Sequence, residues 1–138
     1  MQNVFNLFNK KFDYISFEDL QNIIDNNSYI LINKLPSNKQ ECLIYNTISS
    51  YSEEQTINGF INNYNYYNNT FIIYGMNCND NTVENKFSQI KSLGFKKVFI
   101  YKGGLFEWLL LQDIYGEENF KTTSKILDIL KYKPTKIL

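Results

Sequence analysis

Short apolar runs alternate with amphipathic segments from residue 14 to residue 116, and this alternation constrains the fold of the 138-residue chain most strongly. Three runs rich in β-branched and aromatic residues, 29–33, 71–74 and 98–101, predict strands buried on both faces. A shorter strand is predicted at 14–16. Strands that alternate with helices require right-handed crossovers. We therefore expect an α/β fold with a central, mostly parallel sheet and helices on both faces.

Capping residues mark the first two predicted helices. Ser16, followed by acidic residues in the first turn, has the pattern of a capping box, and that helix is expected to end at the Asn26-Asn27 pair. Ser52 is the predicted start of the next helix, since Glu53 and Glu54 follow it.

Two further helices are predicted on either side of the third strand. The first is capped by Asp80 or Asn81 and closed by Gly94. Its apolar face is formed by Val83, Phe87, Ile90 and Leu93. The second, 105–116, is apolar almost all round and is expected to be largely buried, with Trp108 and Tyr115 in the core.

These signals divide the chain into three parts. Residues 1–13 form an amphipathic arm, 14–116 the α/β domain, and 117–138 a C-terminal helix, at 124–130, with a polar tail. The short arm is expected to pack on the core of its own domain.

Composition excludes several functions. The net charge is zero and the fourteen cations, all lysine, are scattered, so no nucleic-acid-binding face is expected. No apolar run approaches a membrane span, and the first residues lack a signal-peptide core, which predicts a cytoplasmic protein without membrane contact. Without His or Arg, neither a Cys-His or Ser-His-Asp site nor a bidentate phosphate clamp can form. Cys42 and Cys78 show no metal-ligand spacing, so no metal and no cofactor are expected.

The candidate site is the loop between the strand 71–74 and the helix after it. Ligands of parallel α/β sheets bind at the carboxyl ends of strands, where this loop lies. Cys78 is the candidate nucleophile, and the other residues of the predicted binding loop are Gly75, Met76, Asn77, Asn79, Asp80 and Asn81.

The run "SLGFKKVFIYKGGLFEW", residues 92–108, resembles the rhodanese-like domain in its spacing. The matching positions are Gly94, Phe95, Val98, Gly103, Gly104, Glu107 and Trp108. The resemblance covers about residues 14–116 and implies a rhodanese-like fold. The string "GGLFEWLLLQDIYG", 103–116, is also similar to rhodanese-like proteins of large nucleocytoplasmic DNA viruses, which would place the protein in host cytoplasm or in a virion.

This chain departs from the family at its polar landmarks. Gly75 stands where sulfurtransferases of the family carry their cysteine, and Asn33-Lys34-Leu35 stands where they carry Asp-x-Arg. The related phosphatases have an Arg six residues after their cysteine, and the residue six after Cys78 is Glu84. A phosphatase is therefore disfavoured.

Two main functions remain open. In the first, Cys78 is a bystander and the protein is a catalytically silent module that binds an unknown protein partner or assembles into a particle, through the Tyr- and Asn-rich segment 62–69. In the second, Cys78 is the displaced nucleophile of a divergent sulfurtransferase. A weaker third possibility is an anion or nucleotide site at the helix N-terminus. We favour the first, because Asp80 opposes both a thiolate and an anionic sulfur donor. The oligomeric state is left open.

Overall fold

The computed structural model describes residues 11–25 and 29–138. Strands and helices alternate in it, as the sequence predicted. Within these ranges the strands are β1 (Tyr14–Ile15), β2 (Tyr29–Asn33), β3 (Thr70–Tyr74) and β4 (Val98–Tyr101). The α-helices are α1 (Phe17–Ile24), α2 (Ser50–Asn62), α3 (Thr82–Ser92) and α4 (Gly104–Tyr115). Two 3-10 turns are found at Ser37–Lys39 and Ile129–Tyr132.

The four strands form one parallel sheet in the order β1-β4-β3-β2. Tyr74 at the end of β3 is in register with Asn33 of β2 and Tyr101 of β4. The carboxyl ends of these three strands therefore lie at one edge of the sheet, and the residues that follow them meet there.

Helices cover both faces of the sheet, as the alternation predicted. β3 shows the division: Ile72 and Tyr74 point into the core beneath α1 and α4, whereas Phe71 and Ile73 point into the core beneath α2 and α3. Burial of apolar strands on both faces is the expected state of a parallel sheet. Trp108 of α4 is only 1% exposed, which confirms its predicted place in the core.

The start of α1 agrees with its sequence signal, and the start of α2 does not. Ser16 and Asp19 form the predicted capping box. The helix ends at Ile24, and its predicted end at residues 26–27 lies outside the described residues. Ser49, not Ser52, caps α2, because the Ser49 hydroxyl accepts a hydrogen bond from the Ser52 N–H and the helix gains an earlier turn.

Some residues predicted to be in the core are exposed. Leu93 is 41% exposed because α3 ends at Ser92, which places Leu93 at the C-cap and past the buried stripe. Gly94 closes this helix at a φ of 111°, as predicted. α4 is buried only on its sheet-facing side, and its outer side exposes Leu110, Ile114 and Tyr115. The prediction that Tyr115 belongs to the core is therefore wrong.

The predicted helix at 124–130 does not form. Residues 117–132 instead run as an irregular segment that makes an isolated antiparallel bridge, Thr122 to Ile44, and ends in the 3-10 turn. Its backbone groups are bonded to other parts of the domain, which replaces the bonds of a helix. Phe120 and Tyr132 are fully buried in the core.

At the other end of the chain, residues 1–10 of the predicted arm lie outside the described residues. The ring of Phe12 packs edge-on against Phe87 of α3, at a centroid distance of 5.4 Å, which agrees with an arm that contacts its own domain. None of the helices within the described ranges has the length and apolar character needed to cross a membrane.

Candidate functional site

The loop 75–81 lies at the carboxyl edge of the sheet, and the first turn of α4 supports it. The Leu105 N–H donates to the carbonyl of Gly75 at 3.0 Å, and the Phe106 N–H donates to the carbonyl of Met76 at 2.9 Å. Free N–H groups at the start of α4 are thereby satisfied by the loop itself. The base of the loop is fixed as a result.

Gly104 makes this contact possible. Its φ is +71°, and a Cβ there would lie 2.7 Å from the carbonyl oxygen of Gly75 and 2.9 Å from the nitrogen of Asn77. Glycine is the residue suited to a positive φ or to a close backbone approach. Gly104 has both.

Asp80 points into the loop. Its Oδ2 accepts a hydrogen bond from the Met76 N–H at 3.0 Å, and its Oδ1 accepts from the N–H and the hydroxyl of Thr82. A Cβ built on Gly75 would lie 2.6 Å from the Asp80 Cγ. The carboxylate therefore fills the space at the base of the loop that a side chain on residue 75 would occupy.

Asn77 fixes the middle of the loop and is only 6% exposed. Its Oδ1 accepts from the Asn79 N–H at 2.9 Å, and its Nδ2 donates to the Tyr132 carbonyl at 3.0 Å. Its own carbonyl accepts from the Asp80 N–H at 3.2 Å. This one side chain joins the loop to the C-terminal segment.

Cys78 lies at the crest of the loop and is exposed. Within the described ranges, its Sγ has one hydrogen-bond contact, 3.8 Å from the Oδ1 of Asn79. Cys42, in contrast, is fully buried, and its Sγ donates to the Ser124 carbonyl at 3.2 Å. Cys42 is thus a small residue of the core.

A cavity of about 770 Å³ opens above the loop and contains Cys78 in its wall. Two lysines that sequence reasoning missed also line it: Lys34, directly after β2, and Lys102, directly after β4. Each follows a predicted strand, and parallel strands end at one edge, so the strand pattern contained the signal that could have found them. Thr135 and Ile137 form another part of the wall.

The two lysines differ in their partners. Lys102 Nζ lies 2.7 Å from Glu84 Oε1, which also accepts a hydrogen bond from the Tyr14 hydroxyl at 3.1 Å. Lys34 has no ion pair among residues 11–25 and 29–138. Glu84, at the position of the phosphatase Arg, neutralises one of the two cations and further disfavours phosphate binding.

Two buried tyrosines lie at the ends of the central strands, and burial is the main cause that raises the pKa of each. The Tyr101 hydroxyl donates to Glu107 Oε1 at 2.6 Å, and this hydrogen bond to a carboxylate raises the pKa further. Tyr74 accepts a hydrogen bond from the Ile44 N–H. Glu107 therefore joins the first turn of α4 to the end of β4.

No group of three or more His, Cys, Asp or Glu side chains suited to a metal ion is found in the part of the chain that the structure describes. Comparison with family models gives no match, and comparison with curated proteins gives none either.

Solved structures are similar in fold. The BH2092 protein from Bacillus halodurans has a TM-score of 0.58 and 20% identity, over 75% of this chain and 74% of that chain. The Alr3790 protein from Anabaena sp. has a TM-score of 0.58 and 16% identity, over 85% and 97%. The As-Sb reductase from Leishmania major has a TM-score of 0.53 and 19% identity, over 78% and 81%. Together with the parallel sheet and its covering helices, these similarities show that the chain has a rhodanese-like fold.

Proposed function

We propose that this protein is a rhodanese-like module that binds another protein and has no thiosulfate sulfurtransferase activity. One observation carries the catalytic part of the proposal: the Asp80 carboxylate lies at the base of the loop and accepts the Met76 N–H. Gly75 supplies no side chain at that position, so the base of the loop holds a fixed negative charge and no thiol.

The chemistry of sulfur transfer explains why this matters. A persulfide-forming cysteine needs backbone N–H groups that converge on its sulfur, because they stabilise the thiolate. Here the Met76 and Thr82 N–H groups donate to Asp80. The carboxylate would also repel an anionic donor such as thiosulfate, by about 1 kcal/mol at 4 Å even in bulk water. Cys78, exposed at the crest, lies outside this arrangement.

Exposed apolar side chains support the binding part of the proposal. Ile114 and Tyr115 on the outer side of α4 are 69% and 62% exposed, and exposed Leu110 lies one helical turn before Ile114. Tyr64 and Tyr67 are exposed in the segment 62–69. Contiguous exposed apolar surface is typical of contact sites between proteins. Assembly into a particle, in host cytoplasm or a virion if the chain is viral, is the stronger form of the same proposal.

Cyanolysis tests the catalytic part. The wild type and Cys78→Ser are assayed with thiosulfate and with 3-mercaptopyruvate as sulfur donors. We expect both proteins to give the background rate with both donors. Turnover by the wild type that is lost in Cys78→Ser would contradict the proposal and make Cys78 the nucleophile.

Matched surface variants test the binding part. Ile114→Glu changes the exposed side of α4, and Leu127→Glu places the same charge at another exposed leucine. Both variants should fold, because neither side chain is buried. A partner protein that binds the wild type and Leu127→Glu, and is lost from Ile114→Glu, would support the proposal. Equal binding by all three proteins would contradict the assignment of the α4 surface.

A divergent enzyme that uses Cys78 is the second candidate. The cavity supports it, because exposed Cys78 shares the cavity wall with Lys34, a cation with no ion pair in the described ranges, and a cation there favours an anionic substrate. Lys34→Gln should lower any activity found in the cyanolysis assay. Since one structural neighbour is an As-Sb reductase, arsenate reduction with a thiol reductant is a useful additional assay.

A further inference from the structure

We infer that residues 117–132, called the C-terminal strap, set the conformation of the loop 75–81, and that Asn77 is the positioning residue through which they do so. This inference concerns the internal mechanics of the domain and holds whether the loop is catalytic or silent. The strap begins at residue 117, directly after the span 14–116 that resembles the rhodanese-like domain.

The first part of the strap is bonded to α4. The Trp108 Nε1–H donates to the Lys121 carbonyl at 3.0 Å, and the Gln112 Nε2–H donates to the Phe120 carbonyl at 2.7 Å. The rings of Phe120 and Trp108 pack edge-on with their centroids 5.0 Å apart. The start of the strap is therefore fixed to the same helix that supports the base of the loop.

The middle of the strap is bonded to residues 41–45. The Tyr45 N–H donates to the Lys121 carbonyl at 3.0 Å, and the Thr123 N–H donates to the Leu43 carbonyl at 2.8 Å. The Ser124 hydroxyl donates to the Glu41 carbonyl at 2.8 Å. These bonds hold the middle of the strap against residues 41–45, and the strap then returns to the carboxyl edge of the sheet.

The strap meets the loop at Tyr132, which is fully buried. The Tyr132 carbonyl accepts the Asn77 Nδ2–H, and the other end of the same amide accepts the Asn79 N–H. The side-chain amide of Asn77 is thus hydrogen-bonded to the strap through its nitrogen and to the loop through its oxygen. A buried amide that loses a partner is destabilised, so the loop keeps its conformation only while the strap is docked.

This connection predicts coupling between positions 55 residues apart in the sequence. When the strap is loosened at Tyr132, the Asn79 and Asp80 N–H groups, which donate to the side chain and carbonyl of Asn77, should become less protected. A residue with only a general structural role would weaken β3 and the loop equally. Local protection against hydrogen exchange separates the two cases.

The experiment measures amide hydrogen exchange by NMR in two variants with the same charge. Asn77→Asp removes the donor to Tyr132 and keeps an acceptor for the Asn79 N–H. Asn81→Asp adds the same charge to the same loop at an exposed side chain that makes no capping bond. In Asn77→Asp, exchange at Asn79 and Asp80 should be at least about fivefold faster, while the β3 amides are unchanged. In Asn81→Asp, loop exchange should stay at the wild-type rate.

Tyr132→Ala tests the same connection by a change in the strap. It keeps the backbone carbonyl but removes the buried ring that holds the strap in place, so it should accelerate loop exchange more than exchange in β3. Adding it to Asn77→Asp should give little further acceleration, since the bond from Asn77 to the strap is already lost in that variant. Two results would overturn the inference. One is equal loop protection in Asn77→Asp and Asn81→Asp, and the other is a fully additive effect of Asn77→Asp and Tyr132→Ala.

Discussion

The Asp80 carboxylate lies in the space that a side chain on residue 75 would need: an ideal Cβ on Gly75 would be 2.6 Å from Asp80 Cγ and 2.8 Å from its Cβ. Residues 75 and 80 are therefore coupled by volume. A glycine at the base of the loop and an inward-pointing carboxylate occur together because each leaves room for the other.

Gly75→Cys should therefore destabilise the protein, by about 1–3 kcal/mol, since the new side chain displaces the carboxylate and the bonds it accepts. Gly75→Cys with Asp80→Gly should recover part of this loss, because the second change frees the space. Urea unfolding of the two single variants and the double variant measures the coupling. Strictly additive effects would show that residues 75 and 80 do not compete for one space.

Gly104→Ala should cost about 2–4 kcal/mol, because its φ of +71° is unfavourable for alanine and the added Cβ would meet the backbone of the loop. Gly59→Ala is the matched control. It lies inside α2 with nothing within 4 Å of the added Cβ, so it should stabilise the protein by about 0.5–1 kcal/mol. Thermal and urea unfolding would contradict this prediction if both variants moved in the same direction.

Trp108→Ala should lower the free energy of unfolding by about 3–5 kcal/mol, as truncation of a buried aromatic does. The indole is 1% exposed and packs edge-on against Tyr101 and Phe120. Trp108→Phe should cost less, since it keeps an aromatic ring and loses only part of the volume and the bond to Lys121. A loss below about 1 kcal/mol for the alanine variant would show that Trp108 is not packed as described.

The two cysteines should react at very different rates with a thiol reagent under native conditions. Cys78 is exposed, whereas Cys42 has no exposed surface. One thiol per chain should be labelled quickly, and the second only at the rate of unfolding. Cys78→Ser should abolish the fast reaction, and Cys42→Ser should leave it intact. Fast labelling of the Cys78→Ser variant would place Cys42 near the surface.

Stability should fall as the pH rises above about 10. Burial raises the pKa of both Tyr74 and Tyr101 in the folded state, while the same groups ionise near pH 10 in the unfolded chain. Above that pH the unfolded state has fewer bound protons, so each tyrosine lowers stability by up to about 1.4 kcal/mol per pH unit until it ionises in the folded state.

Below pH 10 both tyrosines are protonated in the folded and the unfolded state, so the stability that they contribute is fully present. Tyr74→Phe and Tyr101→Phe should each reduce the slope of stability against pH, as measured by urea unfolding between pH 8 and pH 11. Tyr51→Phe, at a side chain that is 85% exposed, serves as the control. Equal slopes in the wild type and in both buried variants would contradict the assignment.

The sheet and its four helices could be predicted from the sequence because the periodicity of apolar residues and the capping residues are local signals. The prediction failed at residues 124–130, where Ile126, Leu127 and Leu130 have helical spacing. Bonds from residues 121–124 to residues 41–45 fix the chain in an irregular path before this stretch, and tertiary contacts of this kind override intrinsic propensity.

The candidate site was predicted only in part. The sequence indicated the loop and the position of Cys78, because both follow from the end of a buried strand. It did not show that Asp80 turns inward, since that depends on the backbone torsions of a seven-residue loop. Lys34 and Lys102 were missed because they follow strands other than β3. The strand pattern places them at the same edge as the loop, but only the strand order, with β2 and β4 on either side of β3, places them next to it.

The contacts of the strap also have a consequence for the order of folding. The bond from Ser124 to Glu41 spans 83 residues, and the bond from the Leu43 N–H to the Thr123 hydroxyl spans 80. Contacts between such distant parts of a chain raise contact order and form slowly, because a long loop must close first. During synthesis the sheet can assemble once residue 101 is available, whereas the loop can be completed only after residue 132 has been added. The candidate site is thus one of the last parts of the domain to reach its final structure.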